Sequence, residues 1–158
     1  MKILILGVNG MLGNAIFRYL SSKNDYEVYG TMRTIGNRRF FLDKVQSHLI
    51  ANIDANDHDS LVAVFEKIQP EIAINCVGLI KQLAEASDPL LALPINAMLP
   101  HRISRLCSQI GARLVHISTD CVFSGKKGMY NENDLPDAKD LYGKSKLLGE
   151  VHNSPNTL

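Results

Sequence analysis

A tyrosine and a lysine lie four residues apart in the segment "YGKSK", as Tyr142 and Lys146. On a helix this spacing places both side chains on one face. A tyrosine phenol ordinarily titrates near pH 10, and an ammonium group a few ångströms away favours the phenolate by about 4 kcal/mol at an effective dielectric near 20. Such a pair is suited to passing a proton to a carbonyl oxygen at neutral pH. The competing interpretation is an incidental pair on an amphipathic helix.

The segment "HISTDCVFSG" precedes this pair and leaves Ser118 and Thr119 at the end of a predicted strand. Open α/β sheets hold their ligands at the carboxyl ends of their strands. In a carbonyl reduction, Tyr142 would give the proton and the Thr119 hydroxyl would hold the carbonyl oxygen. Lys146 would tune the tyrosine and hold the nicotinamide ribose. The predicted catalytic residues are therefore Thr119, Tyr142 and Lys146.

Three glycines, Gly7, Gly10 and Gly13, follow the apolar run "KILIL" at the opening of a predicted helix. Glycines at such a junction let the backbone turn sharply and approach a pyrophosphate, which binds the free amides of the helix N-terminus. A tight strand-to-helix turn without a ligand is the alternative. The position at the first strand-to-helix junction favours dinucleotide binding.

The second predicted strand ends in Thr31-Met32-Arg33, without the acidic residue that would accept from the adenosine ribose. A guanidinium group suits a 2′-phosphate because its donors form a planar fork. Arg33 is therefore predicted to favour NADP(H) over NAD(H). For Arg38 and Arg39, a contact with the phosphate and a solvent-exposed position in the loop are equally favoured.

These residues need a scaffold in which strands alternate with helices. The pattern predicts an α/β fold of Rossmann type, a doubly wound parallel sheet with helices on both faces, incomplete at its C-terminal end. The predicted strands are 2–6, 26–32, 47–54, 71–78 and 112–118, and the predicted helices are 11–20, 57–69, 94–110 and 140–150, with loops at 36–44 and after 118.

Composition narrows the function classes. The chain has 158 residues, enough for one domain, and its net charge of +1 gives no basic surface for nucleic acid. Three widely spaced cysteines without a C-x-x-C pair indicate neither a disulfide framework nor a metal site. The N-terminal apolar run is broken by Gly7 and Asn9, so we expect no signal peptide, no membrane association and a cytoplasmic location.

The segments "GVNGMLG", "NCVG", "STDCVFSG" and "YGKSKLLGE" together resemble the extended short-chain dehydrogenases/reductases, and most closely the dTDP-4-dehydrorhamnose reductase family. The resemblance spans essentially the whole chain. It implies NADPH-dependent reduction of the 4-keto group of a deoxy-sugar nucleotide, with Thr119, Tyr142 and Lys146 as the catalytic set. The acidic residue of the superfamily that accepts from the adenine amino group corresponds to Asp54, whereas Asp57 is the more natural helix cap.

The predicted cofactor-binding residues are Gly7, Asn9, Gly10, Met11, Leu12, Gly13, Arg33, Ile53, Asp54, Cys76, Val77, Gly78, Tyr142 and Lys146. Members of the resembled family run to about twice this length, so residues 1–158 are expected to be the NADP(H)-binding domain, without the C-terminal substrate domain. We expect this chain alone to bind NADP(H) weakly and to be inactive.

Two other functions stay open: a sugar-nucleotide epimerase of the same superfamily, and a non-catalytic NADP(H)-binding regulatory subunit, since relatives of the family include one that binds methionine adenosyltransferase. A dehydratase is disfavoured because Asp120 and Cys121 follow Thr119 where an acidic pair is typical. A homodimer is also left open. His116 is predicted to be a hydrogen-bonded core residue, Cys121 an inert thiol and Lys81 a solvated loop lysine. For Asn96, ordering of the site and a helix-start or packing role are equally favoured.

Overall fold

The centre of the molecule is a parallel sheet, seen in a computed structural model that describes residues 1–158. Its strands are β1 (Lys2–Leu6), β2 (Glu27–Thr31), β3 (Leu49–Ile50), β4 (Ile72–Asn75) and β5 (Arg113–His116). The order across the sheet is β3-β2-β1-β4-β5, and every neighbouring pair is parallel. The predicted Rossmann-type α/β fold is confirmed.

Six helices cover the two faces of this sheet. They are α1 (Met11–Ser21), α2 (Asp43–Gln46), α3 (His58–Ile68), α4 (Pro89–Ala92), α5 (Leu99–Ile110) and α6 (Leu141–Leu148). Leu4 and Leu6 of β1 pack with the apolar side chains of α3 and α5, whereas Ile3 and Ile5 pack with Phe17 of α1 on the other face. Because β1 is covered on both faces, it is a continuous apolar run rather than an alternating one.

The region between β2 and α3 differs from the prediction. The strand predicted at 47–54 is only Leu49–Ile50, because Asn52 adopts a left-handed conformation (φ 63°) that ends regular pairing. The predicted loop at 36–44 contains a 3₁₀ segment, Ile35–Phe40, and the start of α2. Short turns of this kind carry no apolar periodicity, so a pattern search overlooks them.

The helix predicted to start near Pro94 begins one turn earlier and is not uniform. Asp88 caps α4 by accepting from the Leu90 amide at 2.9 Å, and Pro89 occupies the first position, where its missing N–H costs nothing. A π-helical segment, Leu93–Met98, then joins α4 to α5 and contains Pro94. Proline removes a helical donor, and π-bulges are a common way to absorb such a defect.

Residues near the end of the chain pair with β5 on its open side. Thr157 forms a parallel bridge with Leu114, and the His116 amide donates to the Leu158 carbonyl at 2.9 Å. This contact lies where a further strand of the sheet would add. No helix has the length and apolar character needed to span a bilayer.

Candidate active site

A cleft of about 690 Å³ opens at the carboxyl edge of β1, β2 and β4. This is the place where the strand order reverses, at which open α/β sheets bind nucleotides. Nine predicted cofactor residues line it: Gly7, Asn9, Gly10, Arg33, Ile53, Asp54, Cys76, Val77 and Gly78. The cleft walls do not include Met11, Leu12, Gly13, Tyr142 or Lys146.

The glycine loop packs closely against both β2 and the first turn of α1. Gly7 has φ 85°, and its amide donates to the Thr31 hydroxyl at 3.2 Å. A Cβ atom on Gly13 would lie 2.3 Å from the Gly7 carbonyl oxygen, so only glycine lets α1 approach the loop this closely. Sequence reasoning assigned no role to Thr31, a buried residue that fixes the loop from β2.

The N-terminus of α1 is left open for an anion. Gly10 provides no side-chain cap, and the first turn carries no acidic residue, so the first-turn amides have no competing partner. Met11 is 91% exposed, and Leu12 is also exposed, while Gly13 is buried under the loop. These three residues would therefore contribute backbone amides and close packing rather than cleft walls.

The arginines after β2 separate into two groups. Arg33 is exposed and lines the cleft, together with Thr34 and Asn37, two polar neighbours that the sequence analysis did not single out. Arg38 donates to the Leu49 carbonyl at 2.5 Å, and Arg39 lies over the ring of its neighbour Phe40. A structural role therefore accounts for Arg38, and Arg33 is the guanidinium at the cleft.

The opposite wall of the cleft comes from the segments after β3 and β4. The Asp54 carboxylate accepts from the Asn56 amide at 2.9 Å, while Asp57 caps α3 by accepting from the Asp59 amide at 3.1 Å, as predicted. Burial raises the pKa of the Cys76 thiol to about 11, so Cys76 is a neutral, weakly polar wall residue at neutral pH.

The predicted catalytic residues lie on α6 and on the turn that follows β5, and these two elements pack against each other. Thr119 caps that turn: its hydroxyl oxygen accepts from the Cys121 amide at 3.2 Å. A Cβ atom on Gly143 would lie 2.3 Å from the Cys121 carbonyl oxygen. The glycine beside Tyr142 thus allows the first turn of α6 to lie directly against the Thr119 turn. Tyr142 itself is partly buried.

Lys146 lies one turn further along α6 and is only 6% exposed. Its ammonium group donates to the Ile117 carbonyl at 2.7 Å, which joins α6 to the chain just before Thr119. Burial lowers the pKa of Lys146, and the Glu150 carboxylate opposes that effect. The lysine is therefore a buried cation held at the strand end.

Asn96, in the π-helical segment, connects the cleft to α6. Its side chain accepts from the Leu79 amide at 2.9 Å and donates to the Leu79 carbonyl at 3.1 Å and the Ser145 hydroxyl at 3.2 Å. A Cβ atom on Gly149 would lie 2.0 Å from the Asn96 carbonyl oxygen. Both assignments left open from the sequence, site ordering and packing, fit this geometry.

Replacing Asn96 by leucine is expected to lower the free energy of unfolding by about 2–4 kcal/mol, because the partly buried Leu79 amide and carbonyl and the buried Ser145 hydroxyl lose a partner. Urea titration of the variant measures this change. Asn153→Leu, at an exposed position after α6, is the matched control and should change stability little. Equal stability of the Asn96 variant and the parent would contradict the role of this clamp.

Lys81 is a half-exposed loop lysine, as predicted, and it has an acidic partner that the sequence did not indicate. Its ammonium lies 2.9 Å from a carboxylate oxygen of Asp140, whose other oxygen accepts from the Gly143 amide at 2.8 Å. The hydrogen bond to Asp140 raises the pKa of Lys81, with smaller effects from nearby groups that include Tyr142. Both side chains are about half exposed, so the pair adds little stability but places a cation near the tyrosine.

His116 is half-buried at the end of β5 and holds Asn75 of β4. The side-chain oxygen Oδ1 of Asn75 accepts from the Val77 amide at 3.1 Å, so the side-chain NH₂ group of Asn75 faces His116 Nδ1, also at 3.1 Å. Nδ1 must then accept, so the proton is on Nε2, which is buried without a partner. Burial, with the charges of Lys146 and His101, lowers the pKa of His116 to about 4. The ring is therefore neutral at neutral pH.

The cleft and its surroundings fit a nicotinamide dinucleotide. A glycine loop, an uncapped helix N-terminus, an arginine at the second strand and a partly apolar wall are the groups that such a cofactor needs. No group of three or more His, Cys, Asp or Glu side chains is arranged to hold a metal ion.

Comparison with known proteins agrees with this geometry. The family described as "RmlD substrate binding domain" matches residues 1–155. Methionine adenosyltransferase 2 subunit beta of Danio rerio is 31% identical over 150 residues, which cover 94% of this chain and 42% of that protein.

Two solved structures of related proteins superpose on most of the chain. The dTDP-4-dehydrorhamnose reductase of Bacillus anthracis, solved in complex with NADP, is 29% identical with a TM-score of 0.74, covering 94% of this chain and 47% of that one. A hypothetical dTDP-4-dehydrorhamnose reductase of Sulfolobus tokodaii is 32% identical with a TM-score of 0.79, covering 94% and 50%. The chain spans about half the length of these relatives. By its matched family and its fold, the chain belongs to the RmlD-like family of extended short-chain dehydrogenases/reductases.

Proposed function

We propose that this protein is an oxidoreductase that uses NADPH to reduce the 4-keto group of a deoxy-sugar nucleotide. The observation that carries the proposal is the close packing of α6 on the Thr119 turn, at the same sheet edge as the glycine-loop cleft. The Thr119 turn and α6 carry a hydroxyl, a phenol and a buried ammonium, which are proposed to act together beside the cleft. The NADP complex of the Bacillus anthracis relative supports the choice of cofactor.

In this proposal NADPH, when bound, supplies the hydride to the carbonyl carbon. Tyr142 donates its phenolic proton to the carbonyl oxygen, and the Thr119 hydroxyl orients that oxygen. Lys146, held by the Ile117 carbonyl, stabilises the phenolate that remains. The predicted cofactor residues are proposed to hold the dinucleotide along the cleft, with Arg33 at the 2′-phosphate.

Residues 1–158 are proposed to form the NADP(H)-binding domain, and the contacts that select the sugar are proposed to come from a further domain. The chain covers 42% to 50% of the length of these relatives, so the relatives are long enough to include a further domain. We propose that the protein is soluble and located in the cytoplasm, where NADPH and sugar nucleotides would be available to it.

The test is incubation of the full-length protein with a 4-keto-6-deoxy-sugar nucleotide and NADPH, followed at 340 nm. Stoichiometric loss of absorbance is expected. No loss with any such donor, by a protein that binds NADPH, would exclude the reductase.

Replacing Arg33 by glutamate is expected to weaken NADPH binding about 10–100-fold, because a charge-assisted bond to a phosphate contributes about 1.5–3 kcal/mol. NADH, which lacks the 2′-phosphate, should lose much less affinity. Fluorescence titration with both cofactors measures the difference, and Arg39→Glu, outside the cleft, is the matched control. An equal loss of affinity for NADPH and NADH would show that Arg33 does not bind the 2′-phosphate.

A second candidate is a non-catalytic NADP(H)-binding regulatory subunit. It is favoured by the 31% identity to methionine adenosyltransferase 2 subunit beta. Co-purification with a partner enzyme, and unchanged regulation of that partner by Tyr142→Phe, would favour this role. For an epimerase of the same superfamily, the UDP-glucuronic acid 4-epimerase of Bacillus cereus is 23% identical with a TM-score of 0.78, a likeness that supports the fold alone.

A further inference from the structure

Glu150 lies two residues after the end of α6, a position at which a negative charge does not stabilise the helix. α6 ends at Leu148, and carboxylates near a helix C-terminus are disfavoured by the helix dipole. Its side chain is only 22% exposed, so part of its hydration is also lost. Local helix stability therefore does not explain a carboxylate at this position.

The contacts of Glu150 point toward the catalytic groups. One carboxylate oxygen accepts from the Ser118 hydroxyl at 2.5 Å, and Ser118 directly precedes Thr119. One turn earlier on α6, Lys146 donates to the Ile117 carbonyl at 2.7 Å. Lys146 therefore binds Ile117 through its ammonium group, and Glu150 binds the next residue, Ser118, through its carboxylate.

The charge of Glu150 also acts on Lys146 across the space between them. The two groups form no ion pair within 4.0 Å, because each is held by its own partner on the strand end. Burial lowers the pKa of Lys146, and the Glu150 carboxylate raises it. The Glu150 carboxylate, fixed by Ser118, therefore favours the ammonium form of a lysine whose pKa is lowered by burial.

Further titratable groups lie near Glu150 or on the elements that contact α6. His152 Nε2 lies 3.5 Å from the second oxygen of Glu150, on the solvent side. Those on α6 and on elements near it are His116, His101, Glu85, Asp88, Asp120, Cys121, Asp140, Tyr142 and Lys144. His116 is neutral at neutral pH and therefore adds no repelling cation beside the lysine.

We propose that Glu150 is a positioning residue that, anchored by Ser118, keeps the Lys146 ammonium charged at the strand end that holds Thr119. Its importance for turnover rests on the function proposed above, whereas its effect on Lys146 does not.

The test is to replace Glu150 by glutamine, which keeps the size and the acceptor for Ser118 but removes the charge. The ε-carbon resonance of Lys146 is followed against pH in protein containing ¹³C-lysine, and Lys146→Arg identifies the signal. The pKa of Lys146 should be lower in Glu150→Gln than in the parent. Glu66→Gln, an exposed change on α3, should leave it unmoved.

A change in turnover gives an independent readout. Because neutral Lys146 no longer stabilises the phenolate, the alkaline limb of kcat/KM should move to lower pH in Glu150→Gln. At pH 9 the variant should lose about three- to tenfold more activity, relative to the parent, than it loses at pH 7. Ser118→Ala, which frees the carboxylate, should shift both readouts in the same direction and less far.

The outcomes separate this inference from the proposed function. An unchanged pKa of Lys146 in Glu150→Gln would overturn the inference, whether or not the protein reduces a sugar nucleotide. A lowered pKa in a protein without turnover would uphold it and count against the reductase. If Glu150→Gln does not fold, Ser118→Ala carries the same test of Lys146.

Discussion

Replacing Tyr142 by phenylalanine is expected to reduce kcat for the sugar-nucleotide reduction by about 10²- to 10⁴-fold, because the variant lacks the proposed proton donor. The ring is retained, and no hydrogen bond made by the Tyr142 hydroxyl contributes to the fold. NADPH affinity and the free energy of unfolding should therefore stay close to those of the parent. Absorbance at 340 nm and NADPH fluorescence measure the two quantities in the same preparation.

The matched control is Tyr19→Phe, an exposed tyrosine on α1 that is 63% exposed and far in sequence from the Thr119 turn. It should leave turnover unchanged. Parental turnover by Tyr142→Phe would remove the tyrosine from the mechanism, whereas equal loss of NADPH binding and turnover would indicate a structural rather than chemical role.

The second large effect is expected at Gly13. An alanine there would place its Cβ 2.3 Å from the Gly7 carbonyl oxygen and 2.9 Å from the Gly7 carbonyl carbon. Since neither atom belongs to a flexible side chain, the loop must move away from α1. We expect NADPH affinity to fall more than tenfold and the free energy of unfolding to fall by about 2–4 kcal/mol.

Gly10→Ala separates this packing effect from the loss of a glycine as such. Its Cβ would lie 3.5 Å from the Gly7 carbonyl oxygen, an ordinary contact, and Gly10 has a φ of −73° that alanine adopts. Urea titration should therefore find Gly10→Ala close to the parent in stability. If both substitutions destabilise equally, the close approach of α1 to the loop is not what requires glycine at position 13.

The parts of the fold that were predictable are those in which apolar pattern and turn chemistry agree. The run before Gly7 and the helical spacing of Leu61, Phe65 and Ile68 each bury a continuous face, so their types were predicted correctly. β3 was overestimated because only two residues pair before Asn52 turns left-handed. The π-helical segment depends on how a proline is accommodated, which no periodicity encodes.

In the site, local motifs were predictable and long-range contacts were not. The glycine loop and the Tyr142–Lys146 spacing are local; the structure places the first at the cleft and packs the helix that carries the second against the turn that follows Thr119. The pairing of Lys81 with Asp140 joins residues 59 positions apart, and that of Ser118 with Glu150 joins residues 32 apart. Such partners follow only from the packing of α6, so the sequence indicated a solvated Lys81 but not its pairing with Asp140.

The most direct test of the proposed function is transfer of deuterium from C4-deuterated NADPH to a 4-keto-6-deoxy-sugar nucleotide by the full-length protein, analysed by mass spectrometry. One deuterium at C4 of the sugar product, with matching oxidation of the cofactor, is the predicted result. An epimerase that recycles its own bound nicotinamide would leave the sugar unlabelled. Tight NADPH binding with no deuterium in any such sugar would contradict the reductase.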